Sequence, residues 1–164
     1  SGREMRHGGR AVHFLANAAS KALPDMASTP REILARKTQA DTAMERAALI
    51  LEDLLKEACV ELDPFPSFPN AFFTTAIECD PGGVADPERG CVVVAEDGEL
   101  YELEIGVDHE AIELSGSWDP VTARAETKKK LDLHPRDYVI YAYNGLTAVT
   151  DLLLDRQEEA EDDA

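Results

Sequence analysis

Asp108-His109-Glu110 sets an imidazole between two carboxylates. Such ligands suit hard and borderline divalent cations, which makes the three residues a candidate metal site. The spacing argues against it. Adjacent residues at a turn point in different directions, and no second histidine stands at helical spacing. An exposed turn is the plainer reading.

The same tripeptide lies within a longer acidic stretch. From Glu96 to Glu113 eight residues are acidic, and no Lys or Arg occurs between Gly90 and Ala123. Asp97-Gly98 inside it is a strong hairpin signal. With those two as the turn, Glu96 faces Glu99, and Ala95, Val94, Val93, Val92 and Cys91 face Leu100, Tyr101, Glu102, Leu103 and Glu104 in order. One face then carries Val92, Val94, Tyr101, Leu103 and Ile105, and the other carries Glu102 and Glu104 beside Val93 and Cys91. Neighbouring like charges cost roughly a few tenths of a kcal/mol unless solvated or bridged. Glu99, Glu102, Glu104 and Glu113 are therefore a candidate surface for a basic protein or peptide. A solvated sheet face is the bland alternative.

A third candidate combines His134, Arg136 and Tyr141. His134 and Arg136 precede Asp137–Tyr143, a tyrosine-rich run that reads as a strand buried on both faces. A His and an Arg at the mouth of such a strand suit an anion or small ligand, although capping of nearby carbonyls is the commoner use of these residues. For covalent chemistry the sequence offers nothing specific. It has no G-x-S-x-G, no P-loop and no dinucleotide fingerprint. Cys59, Cys79 and Cys91 form neither a zinc pattern nor an even disulfide set, so a reducing, cytoplasmic setting is expected. Cys79 and Cys91 bracket the loop D-P-G-G-V-A-D-P-E-R-G and would approach if their strands paired.

The elements that must position these residues read as follows. Residues 1–9 form an arm, and Arg10 to Leu23 a first helix stopped by Pro24. Thr29, Pro30 and Glu32 make a capping box. Ile33, Ala40, Met44, Ala47, Leu51, Leu54, Ala58 and Leu62 then recur at the helical period. Unbroken, that helix runs about 50 Å, which exceeds the width of a domain this size. The favoured reading is a break or kink near Thr38–Asp41. The alternative is a projecting helix that meets another copy of itself, and homodimerisation through the N-terminal helices is expected. Residues 63–70 form a Pro-rich connector pinned by Phe65 and Phe68. Strands are expected over Ala71–Cys79, Cys91–Ala95, Leu100–Val107, Ala111–Ser115 and Asp137–Tyr143. Helices are expected from Asp119 to Leu131 and, after an Asn144-Gly145 turn, from Leu146 to Arg156. Residues 158–164 are an acidic, frayed tail.

The sum is a single α+β domain over residues 10–157, with N-terminal helices on a mainly antiparallel sheet of about five strands and a C-terminal helix. Hydrophobic residues make up 44% of the chain and charged residues 30%, which excludes wholesale disorder. No apolar run approaches a membrane span, and the segment after Arg10 is broken by His13, Asn17 and Ser20, unlike a secretory signal. The net charge is −17, and residues 1–62 balance nine basic against nine acidic residues, so the whole excess lies in residues 63–164. That charge repels nucleic acid. The leading expectation is a non-catalytic, cofactor-free interaction or regulatory domain with a basic partner. The rival is a small-molecule-binding or metal-dependent hydrolytic domain near His134 and Arg136 or Asp108–Glu110.

Overall fold

A computed structural model describes residues 28–80, 89–116, 118, 119, 121 and 123–164. The expected arm and first helix, and the loop at residues 81–88, lie outside them. The fold is α+β: among the described residues three helices accompany a four-stranded antiparallel sheet, one strand fewer than expected. Residues 40–164 form one compact unit, and residues 1–39 belong to another.

Helix α1 spans Pro30–Glu61. Its start is the expected capping box: the Thr29 N–H donates to Glu32 Oε2 at 2.9 Å and the Glu32 N–H to Thr29 Oγ1 at 3.3 Å. The helix does not break at Thr38–Asp41, which corrects the expected break there. No Gly or Pro follows Pro30 before its end, and the Thr38 hydroxyl donates back to the Leu34 carbonyl at 3.0 Å instead of capping a new helix. All residues from Pro30 to Arg46 are exposed.

The sheet order is β1 (Ile77–Glu78), β2 (Cys91–Val94), β3 (Leu100–Val107), β4 (Arg124–Lys130), each pair antiparallel. The β2–β3 hairpin exists, but its register is one residue from the expected one. Val94 pairs with Leu100 and Val92 with Glu102, because the turn holds three residues rather than two. Ala95 N–H donates to the Glu99 carbonyl at 3.1 Å, and Gly98 takes φ +76°. This is a turn closed by a glycine bulge. Gly98 is also where the hairpin meets α1, since a Cβ there would lie 2.7 Å from the Lys56 backbone. A one-residue shift exchanges the faces. Leu100 joins Val92 and Val94 on one side with Glu102, while Tyr101 and Leu103 join Cys91 and Val93 on the other.

Both faces are covered at the middle strands, which explains the run Val92-Val93-Val94. On one face these valines' even members pack with Ile77, Leu55, Cys59, Leu62, Tyr141 and Val149. On the other, Val93 and Leu103 pack with Ala76 and Phe68. Phe68 comes from the connector, which folds back through a Ser67–Thr75 bridge.

Further elements differ from expectation. The strand at Ala71–Cys79 shrinks to β1, because the N–H groups of Phe72, Phe73 and Thr74 donate to the Glu126 carboxylate instead of a strand. Ala111–Ser115 belongs to helix α2 (His109–Ser115), whose ends carry decisive signals: Asp108 accepts from the Ala111 N–H at 3.1 Å, and Gly116 closes it in the left-handed conformation. Asp119 lies at a turn, accepting from the Val121 N–H at 3.1 Å, and Arg124–Lys130 of the expected helix form strand β4. Lys128, Lys129 and Lys130 there face Leu103, Glu102 and Tyr101, so β4 sets one lysine opposite an acid of β3 and its lysines protect the sheet edge.

The tyrosine run Asp137–Tyr143 is not a strand but the start of helix α3 (Pro135–Asp162), capped by His134 with Pro135 in the first turn. Asn144-Gly145 lies inside this helix rather than in a turn. Gly145 is required there by proximity, since a Cβ would sit 2.8 Å from Cys79 Sγ on the sheet. The helix continues through Asp162, so the acidic tail is helical and exposed.

Candidate functional site

The three sequence candidates are placed apart. Asp108 is spent as the cap of α2, and His109 and Glu110 lie exposed in its first turn. His134 caps α3, its Nδ1 accepting from the Arg136 N–H at 3.3 Å. Arg136 is exposed, whereas Tyr141 is only 5% exposed, in the core, with the Arg89 guanidinium 5.7 Å from its ring centroid. Of the acidic candidates, Glu104 is exposed opposite Thr127, Glu102 faces Lys129, and Glu113 is exposed on α2.

Glu99 has a different setting. It lies in a cleft of about 420 Å³ between α1, the end of the β2–β3 turn and the β4–α3 link. Leu49, Leu131, Leu133 and Tyr138 give the cleft apolar walls, and Glu45, Glu52, Glu99 and Asp132 give it four carboxylates. Two of these acids are neutralised within the fold. Lys56 Nζ lies 2.7 Å from Glu52 and 3.4 Å from Glu99, and Lys130 lies 3.7 Å from Glu99. The hydrogen bond to Glu52 first, then Glu99, holds the Lys56 ammonium above its usual range. Glu45 and Asp132 have no hydrogen-bond or ion-pair partner among the described residues. Burial, then the charges of Glu52 and Glu99, pushes the Tyr138 hydroxyl to about 12, so it is a neutral donor at physiological pH.

Helical spacing aligns the α1 contribution. Glu45, Leu49 and Glu52 recur at four and three residues and share one side of the helix. Sequence reasoning found Glu99 and missed the others. The Glu45–Leu49–Glu52 stripe was visible as an apolar residue between acids. Asp132 had no signal, because the β4–α3 link exists only once β4 is a strand.

A second group lies at the open ends of β1 and β2. Glu78, Asp80 and Cys91 bring one potential ligand atom each within 4.8 Å of one another. Burial, then the charges of Glu78 and Asp80, pushes the Cys91 thiol to about 11. Its sulfur is protonated at neutral pH, so a metal would have to displace that proton. Cys79 points to the opposite face of the sheet from Cys91, in register with Val92 through its 2.8 Å N–H bond, which keeps the two sulfurs from bridging. All three cysteines are free. Among the described residues, no helix is long and apolar enough to cross a membrane.

The chain matches no protein-family model, and the searches of curated proteins and of solved structures found no match either.

Proposed function

We propose that this protein is a non-catalytic interaction module that takes a basic segment of a partner protein into the cleft between α1 and the β4–α3 link. The observation that carries this reading is the pairing of Glu45 and Asp132, two carboxylates without a cation of their own, with leucine and tyrosine walls. A lysine or arginine is amphipathic in the complementary sense. Its methylene stem packs on Leu49, Leu131 and Leu133 while its head group meets the free acids. An anionic ligand would meet four carboxylates against Lys130 and the already paired Lys56. The reading retains the net charge of −17 as a long-range attraction for a basic partner. The three free cysteines accord with a reducing compartment such as the cytoplasm.

The test is fluorescence anisotropy with a panel of labelled peptides in which Lys or Arg alternates with Leu, against a matched Glu–Leu panel. Basic peptides should bind, lose affinity steeply as salt rises, and lose most of the remainder in the Glu45→Gln/Asp132→Asn variant. Binding that is indifferent to half-molar salt, or equal in wild type and variant, would sink the proposal.

A further inference from the structure

The side of α1 opposite the cleft carries a second pattern. Ala40, Ala43, Ala47, Ile50, Leu54 and Glu57 recur in alternating steps of three and four residues. That is the spacing of a coiled-coil seam. The seam is open: Ile50 is 60% and Leu54 42% exposed, and Ala40, Ala43 and Glu57 are exposed as well. A single chain therefore leaves two large aliphatic side chains on solvent along a regular helical stripe.

We infer that this seam is the interface between two copies of the chain, with their α1 helices antiparallel. The sequence is self-complementary in that direction. Reversing one helix and setting Ala47 against Ile50 of the second copy places Ala43 against Leu54 and Ala40 against Glu57. Each layer joins a small side chain to a larger one, so the helices approach closely without leaving voids. The same register brings Arg46 beside Asp53 of the second copy, twice by symmetry. Neither residue has a hydrogen-bond or ion-pair partner among the described residues of its own chain. A parallel, in-register pair would instead stack Glu57 on Glu57 and set Arg46 beside Leu51, so the charges choose the antiparallel direction. The helix dipoles favour it too.

The seam and the cleft use opposite sides of α1, so the dimer presents two open clefts. Two tethered basic segments would gain avidity from such an arrangement. The dimer itself does not depend on the cleft being a binding site.

Sedimentation equilibrium on the full chain tests the inference. Wild type should dimerise. Ile50→Glu should give monomers that keep the wild-type helical circular dichroism, since position 50 is exposed. Arg46→Asp and Asp53→Arg should each weaken the dimer about tenfold, and the double reversal should recover it to within about threefold. Glu45→Gln/Asp132→Asn should leave association unchanged, which separates failure of the seam from failure of the cleft. A wild type that stays monomeric to about 100 µM, a dimer indifferent to Ile50→Glu, or a double reversal that recovers nothing would overturn it.

Discussion

The Thr74 hydroxyl donates to Glu126 Oε1 at 2.8 Å across 52 residues of sequence. The same carboxylate accepts from the N–H groups of Phe72 at 2.7 Å, Phe73 at 3.0 Å and Thr74 at 3.0 Å. Its side chain is 3% exposed. One acid on β4 thus fixes the segment that leads into β1. Glu126→Gln keeps the shape but turns an amide toward donors, leaving at least one of them unpaired. Unfolding free energy from urea titration should fall by about 2–3 kcal/mol.

Glu126 also sets the acid limb of stability. Burial alone would raise its pKa, but the hydrogen bonds from Phe72, Thr74 and Phe73 outweigh burial and hold it below 4.5. A folded-state pKa depressed in this way gives stability that is present above the unfolded value and lost as pH falls through the folded one. Stability curves of wild type and Glu126→Gln should therefore converge on acidification below about pH 4. Parallel curves down to pH 2 would contradict this.

The alkaline limb follows from the thiols. Burial raises Cys59 and Cys91 to about 11 and Cys79 to about 12. These folded values lie above the unfolded value of 9.0, so the stabilisation is complete below about pH 9 and is lost as pH rises toward the folded values. Alkylation by iodoacetamide at pH 7.5 should be slow for all three and slowest for Cys79. The decline in unfolding free energy between pH 9 and 11 should be shallower in Cys79→Ala.

Close packing between Gly145 and Cys79 supplies a coupled pair. Gly145→Ala gains about 1 kcal/mol of helix propensity, yet its methyl would sit 2.8 Å from the buried sulfur. The clash should win, with a net loss of about 1–2 kcal/mol. Removing the sulfur in Cys79→Ala/Gly145→Ala should recover much of that loss, because the two changes share one contact. Additive losses would mean that α3 shifts away from the sheet instead.

How much of this was legible in the sequence varies by element. The capping box at Thr29–Glu32, the Asp97-Gly98 hairpin and the span of β3 were readable, because each is a local signal with a local cause. The hairpin register was not, since a three-residue turn with a bulge and a two-residue turn share the same dipeptide. Asp137–Tyr143 is apolar enough for either a buried strand or a helix, and Pro135 after His134 decides for the helix. Asn144-Gly145 reads as a turn until Cys79 is seen against it. The lysines of β4 look like a helix end in one dimension, and only strand pairing sets Lys129 opposite Glu102 and brings Lys130 to Glu99. The cleft inherits that history: Glu99 could be singled out, but the carboxylates left free there are Glu45 and Asp132.

The role proposed for those two free carboxylates is to receive a basic segment. Amide chemical-shift mapping with a Lys–Leu peptide of the binding panel tests it most directly. Perturbed residues should cluster at Glu45, Leu49, Glu52, Asp132, Leu133 and Tyr138, and the cluster should vanish in Glu45→Gln/Asp132→Asn. Perturbations centred on Glu102 and Glu104, on Asp108–Glu110, or scattered over the whole acidic surface would contradict it.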